Sequence, residues 1–174
     1  MRITDKRVYF WAGPLGNWIR VKDGILLPDE LTDCVGMNSV RVPTSEHVFM
    51  YMKARFFGDL EIAKQILETP DPKTAKKLGR VVRGFDEKKW VIYRETAMWT
   101  ALTLRYKYDK KFRDYLAKEE FKGKLFVEAN PYDIVWSCGY LENDPRIDLP
   151  EETWPGKNLL GKLLDRLRDE HEQS

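Results

Sequence analysis

The sequence predicts a mainly α-helical α+β fold, one helical domain over residues 1–174 with a few short strands. Three observations carry this. Helix-start residues recur ahead of apolar positions spaced three and four apart: Thr44-Ser45, Pro72, Asp86 and Asn158. Strand candidates are few and short, chiefly residues 8–11, 39–42 and 125–127. The strand-helix alternation of a doubly wound sheet is missing, as are a GxGxxG turn after a strand and a Walker loop. The 174 residues suit one domain, and 43% hydrophobic with 33% charged residues suits a packed, water-facing globule.

Residues 8 to 11 read as a strand, followed by the turn-rich Gly13-Pro14-Leu15-Gly16 and then Asn17-Trp18. Residues 19 to 42 alternate irregularly around Gly24, Pro28 and Gly36, with Ser39-Val40-Arg41-Val42 as a strand. Pro43-Thr44-Ser45 starts a helix, capped by Thr44 or Ser45, that runs to Phe57 and stops at Gly58. A second helix covers residues 59 to 67 and is broken by Thr69-Pro70-Asp71-Pro72. Pro72 at the first helical position opens a third, and Gly79 is read as its C′ glycine. Asp86 caps a long fourth helix whose stripe is Trp90, Tyr93, Ala97, Ala101, Leu104 and Tyr108. A further helix covers residues 110 to 117, and Leu125-Phe126-Val127 is a buried strand. An irregular stretch and a polar loop over residues 142 to 156 lead to the last helix, residues 158 to 171, with Leu159, Leu160, Leu163, Leu164 and Leu167 inward.

Composition excludes several classes. Thirty basic and 28 acidic residues give a net charge of +2, too balanced for a broad phosphate-neutralising surface, though not for one local contact with DNA or RNA. Cys34 and Cys138 form neither a CxxC nor a disulfide scaffold, which fits reduced thiols in the cytoplasm. Glu46-His47 opens like a zincin motif, but position 50 is Met50, so no metal site is expected. The opening MRITDKRVYFW has no apolar run, and nothing approaches the roughly 18 apolar residues of a membrane span, so neither a signal peptide nor a membrane partner is expected. The 13% aromatic content serves a filled core or a pocket for a flat ring equally well.

One stretch, PTSEHVFMYMKAR, threads ionisable groups through aromatic ones. At about 100° per residue, Glu46 and Lys53 return to within roughly 20° of each other, about 10 Å apart along the axis. They share a face with Phe49 and Met50. Either Glu46 complements the helix dipole and Lys53 is solvated, or both enter a pocket. There a desolvated lysine becomes nucleophilic and a buried carboxyl becomes an acid or base. Glu128 and Asp133 form a second acidic pair beyond a strand, where site residues and ordinary turn chemistry compete. Asn158, after Trp154-Pro155-Gly156-Lys157, is a plain helix cap or the edge of an anion site; Gly79-Arg80 with Arg83-Gly84 offers another anion site.

In order along the chain, these pieces resemble the NADAR superfamily, also called YbiA-like. They are Gly16-Asn17-Trp18, PTSEH, Lys53-Ala54, Ala75 through Arg80, Trp90, Val127-Glu128-Ala129, Asp133 through Gly139, and Trp154 through Gly161. The resemblance covers nearly the whole chain. It implies a single YbiA-like helical domain and an N-glycosidase that needs no cofactor. It implies catalytic roles for Glu46, Lys53, Asp133 and Glu128, and substrate binding by Asn17, Trp18, Trp90, Trp136, Gly139 and Asn158. Departures are Gly16 for the family's serine, Ser137 for its first glycine, Arg105-Tyr106 for Lys-Phe, and Asp165 for a usual methionine. None removes a catalytic group.

The implied substrate carries an ADP-ribosyl or phosphoribosyl group on nitrogen, free or attached to nucleic acid. One family branch removes ADP-ribose from guanine; another acts on phosphoribosylated intermediates of riboflavin synthesis. N-glycoside cleavage builds positive charge at C1 and negative charge on the leaving base, which suits a carboxylate and an acid. For ADP-ribosylated guanine the resemblance implies that Lys53 attacks the ring-opened sugar, with Glu46 or Asp133 moving protons. A module that binds ADP-ribose or NAD without cleaving it is the non-enzymatic alternative.

Overall fold

The computed structural model describes all 174 residues. Seven α-helices and five short strands follow in the order β1 Arg2–Ile3, β2 Arg7–Phe10, β3 Ile25–Leu26, α1 Asp29–Thr32, β4 Arg41–Val42, α2 Ser45–Phe56, α3 Leu60–Glu68, α4 Pro72–Arg80, α5 Glu87–Tyr108, α6 Lys110–Leu116, β5 Leu125–Glu128 and α7 Leu159–Glu172. The mainly helical expectation holds. The elements fall into two compact units: Asn17–Lys110, largely helical, and Met1–Gly16 with Lys111–Ser174, built on a sheet.

In the helical unit α2 is the central element and packs against α3, α4 and α5. Nine of its twelve residues are buried, which is why its ionisable groups cannot all be a solvated face. The starts of α2, α3, α4 and α5 each follow from a cap: Thr44 Oγ1 accepts from the His47 amide, Asp59 from Ile62, Asp71 from Lys73 and Thr74, and Asp86 from Lys89. The expected stop at Gly58 is right, with φ +74°. The reading of Gly79 is corrected. It lies inside α4, and a Cβ there would come within 2.0 Å of Met50 Sδ. Gly79 lets α4 lie directly on α2; the tertiary contact, not a left-handed cap, demands it.

In the sheet unit β1 pairs antiparallel with β2, and β2 pairs parallel with β5. Residues 125, 127 and 129 face β2, as the Ala129 amide donating to Phe10 O shows (2.7 Å). The other edge of β5 is open to no strand, and α7 covers it. Asp165 Oδ1 accepts from Phe126 N (2.9 Å), Asn158 Nδ2 donates to Phe126 O (2.9 Å), and Asn158 Oδ1 accepts from Glu128 N (3.0 Å). Burying that edge unsatisfied would be costly, so polar side chains of the helix take the place of a strand. Contact is close enough that a Cβ at Gly161 would lie 2.1 Å from Phe126 O. Residues 142 to 156 are tied down rather than loose: 3₁₀ turns form at Pro145–Asp148 and Glu151–Thr153, Asp148 binds Arg2 and Tyr9, and Arg7 donates to Ile147 O and Leu149 O. No helix is long and apolar enough to cross a membrane.

Candidate active site

The candidate residues divide between the units. Asn17, Trp18, Glu46, Lys53 and Trp90 belong to the helical one; Glu128, Asp133, Trp136, Gly139 and Asn158 belong to the sheet one.

In the helical unit, the first turn of α2 is held from three directions. Asn17 O accepts from the Glu46 amide (3.0 Å), and Asn17 Oδ1 accepts from Ser45 Oγ (3.0 Å). Asn17 therefore anchors the helix that carries Glu46. His47 is fully buried, with Nε2 2.8 Å from Thr69 O and Nδ1 2.7 Å from Thr44 Oγ1. A carbonyl can only accept, so Nε2 carries the proton and Nδ1 accepts from the Thr44 hydroxyl. Burial lowers its pKa and keeps it neutral. His47 is thus a structural bridge between the α2 cap and the end of α3.

Glu46 is buried at 6% exposure on the first turn, and Lys53 is half-buried two turns on. Lys53 Nζ lies 4.7 Å from the Phe85 ring centroid and 5.6 Å from that of Trp90. It is in no ion pair. Burial lowers its pKa, the charge of Glu87 opposes that, and the charge of Arg80 adds to it. The ring faces favour the ammonium, while desolvation favours the amine. Trp90 is buried among Phe49 (5.6 Å), Phe57 (6.2 Å) and Tyr93 (6.3 Å). Phe85 was not among the expected residues. It precedes the Asp86 cap and Trp90 is the fourth residue of α5, the spacing of a hydrophobic staple. That spacing is the signal that places both rings beside Lys53. Trp18 is 46% exposed, with Lys76 Nζ 5.8 Å from its ring.

In the sheet unit, the candidates are fastened to backbone. Asp133 Oδ1 accepts from Val135 N and Trp136 N, both at 2.8 Å, closing an Asx turn. Ser137 Oγ has the Glu128 and Asn130 carbonyls within reach of its one proton (2.8 and 2.6 Å) and accepts from the Asn130 and Gly139 amides, so the serine in place of the family glycine knits the loop together. Gly139 has φ +84°, and a Cβ there would meet Pro155 Cγ at 2.6 Å. Two expectations are corrected. Asn158 precedes α7 with φ +51° but makes no side-chain cap, because its amide bridges β5. The α7 N-terminus is also no anion site. The Lys157, Asn158, Leu159 and Leu160 amides donate to Ile134 O, Ser137 O, Val135 O and Trp136 O. Trp136 is half-buried, and Glu128 stands at the end of β5 with its amide on Asn158.

Of the other proposed anion site, Arg83 is engaged by Asp59 and Glu61, while Arg80 stays exposed. No three His, Cys, Asp or Glu side chains are grouped to ligate a metal.

The sequence profile of the NADAR domain matches residues 10–171. The chain is 35% identical over 130 residues to an N-glycosidase of Acanthamoeba polyphaga mimivirus, covering 75% of each. It is 36% identical over 128 residues to Protein irg-1 of Caenorhabditis elegans, covering 72% of this chain but 59% of that protein. Its fold is similar to the NMR structure of the Escherichia coli protein YbiA, with a TM-score of 0.67 at 23% identity over 99% of this chain and 88% of that one.

Proposed function

The chain belongs to the NADAR domain family, and from that premise we propose that it is an N-glycosidase whose substrate is ADP-ribosylated guanine. The relative from mimivirus, an N-glycosidase by name, supports the reaction class. The observation that carries the finer reading is Lys53: a desolvated amine in no ion pair, set against Phe85 and Trp90 on the helix whose first turn buries Glu46.

In this reading the amine of Lys53 adds to C1 of the ring-opened ribose. The C1–N bond to guanine breaks, guanine leaves with a proton, and an imine to Lys53 remains. Water then adds to the imine carbon and releases the sugar and the free amine. Glu46 moves the protons, and the aromatic rings stack on the base. Desolvation supports this, because only the neutral amine attacks.

Borohydride added during turnover of ADP-ribosylated guanosine should trap an adduct on Lys53. Lys53→Ala should lose about 100-fold or more in kcat; full activity in that variant overturns the imine route. An aminouracil phosphoriboside assayed alongside separates the riboflavin-intermediate reading. Stoichiometric binding of unaltered ligand would instead identify a binding module.

A further inference from the structure

The surface of α4 carries a basic stripe that the reaction does not use. Lys73, Lys76, Lys77 and Arg80 are four cations on a nine-residue helix that carries no acid. The whole chain balances 30 basic against 28 acidic residues, so this is a local concentration of charge. Lys73, Lys77 and Arg80 are exposed, and they recur at four- and three-residue steps along one stripe about 10 Å long. None of the four is in an ion pair, whereas nearby Arg83 is held by Asp59 and Glu61. The neighbouring acid, Asp71, is taken up by the Lys73 and Thr74 amides and the Thr74 hydroxyl.

Helix stability does not account for the stripe. The dipole welcomes Lys77 and Arg80 in the last turn but opposes Lys73, the second residue of the helix. Lys73 stands three and four residues from Lys76 and Lys77, which stand four and three from Arg80. Each such like-charge pair costs a few tenths of a kcal/mol. Beside these cations lie two exposed ring faces. Trp18, 46% exposed, has Lys76 over it, and Phe85, 44% exposed, has Lys53 over it. Arg80 in turn lies close enough to Lys53 to depress its pKa.

We propose that the exposed face of α4 is a track for the phosphodiester backbone of single-stranded nucleic acid, with Trp18 as a stacking platform for an unpaired base. The cations neutralise phosphates without reading sequence, and the ring takes a base that a duplex would keep stacked. The track leads along Arg80 to Lys53. It deepens the reading above by making the modified base part of a strand, and it rests on that reading only for the reaction.

Anisotropy of a short fluorescein-labelled oligothymidylate, titrated between about 50 and 200 mM salt, tests it. Lys73→Gln with Lys77→Gln removes two phosphate contacts. Affinity should fall about tenfold, and the slope of log K against log salt should shrink by about 1.4. Trp18→Ala should weaken binding with the slope unaltered, because stacking releases no counterions. Glutamine is a good helix former, and an unchanged thermal melt verifies that α4 is intact. The glutamine pair should turn over free ADP-ribosylated guanosine as the parent does. A parent that ignores the oligonucleotide, a glutamine pair that binds it undiminished, or an equal loss of affinity for free ADP-ribose overturns the track. So does binding of anionic phosphatidylserine vesicles without the oligonucleotide. Strand binding that follows the stripe without any turnover supports the track and sinks the glycosidase reading alone.

Discussion

The two units solve the problem of buried polar groups differently. In the helical unit, several buried polar side chains pair with other side chains: Arg105 with Asp109, Thr44 with His47, Ser45 with Asn17. In the sheet unit they are spent on backbone: Asn158 and Asp165 on β5, Ser137 on residues 128 to 139, Arg168 on Phe121 O and Lys124 O. The reason is geometric. A helix pairs its own amides and carbonyls except at its ends, so away from the caps fewer main-chain groups are left for side chains to meet. A three-stranded sheet with an edge that no strand pairs and a long irregular segment leaves main-chain groups to be met. The lesson for function is that a helix face can present Lys53 to a substrate, whereas Asp133 and Asn158 are already engaged in building the loop that carries them.

The contrast breaks most sharply at Asp109. Arg105 is 1% exposed, its Nε 3.1 Å from Asp109 Oδ2, and burial lowers its pKa despite that partner. Asp109→Ala should cost about 3–5 kcal/mol in urea unfolding, because a buried charge loses its counterion. Arg105→Met with Asp109→Leu should recover most of that. A loss under about 1 kcal/mol in the single variant would show that the side-chain pair is not what holds α5's end.

At Asn158 the corresponding test removes a backbone bridge. Asn158→Gly keeps φ +51° accessible but abandons Phe126 O and Glu128 N. Each abandoned group costs about 1–3 kcal/mol, so a loss of about 3 kcal/mol is expected, with kcat falling as Glu128 loses its anchor. Unchanged stability with impaired substrate binding would instead make Asn158 a ligand of the substrate.

This difference also decides what the sequence could say. Thr44, Asp86 and the stop at Gly58 are local signals, and the helices begin and end where these residues place them. The Glu46–Lys53 face follows from helical periodicity, and Phe85 beside Lys53 from the staple spacing around the Asp86 cap. Gly79 and Asn158 look like ordinary punctuation, but their roles depend on Met50 and on β5, 29 and 32 residues away. No period or cap rule carries such information. The NADAR resemblance aligned the sheet-unit residues without showing that most of their polar atoms serve the chain itself.

Asp165 sharpens the comparison further, because it puts an ionisable group where the strand edge needs only an acceptor. Its Oδ1 takes the Phe126 amide at 2.9 Å, a bond no methionine there could make. Burial pushes its pKa up to about 7, against the pull of the Phe126 amide and of Arg168, whose Nη2 is 3.6 Å away. A carboxyl raised above its unfolded value of 3.8 favours folding fully below that value, and the contribution is lost as pH rises through about 7. Asp165→Asn keeps the acceptor and removes the titration. The variant should therefore match the parent near pH 4 and exceed it by about 4 kcal/mol at pH 8, the pull of Arg168 on the carboxylate being already contained in the rise to about 7. Thermal melts across that range measure it. A variant that is less stable than the parent at pH 8 would mean that the Arg168 ion pair, rather than the amide of β5, is what Asp165 is there to satisfy.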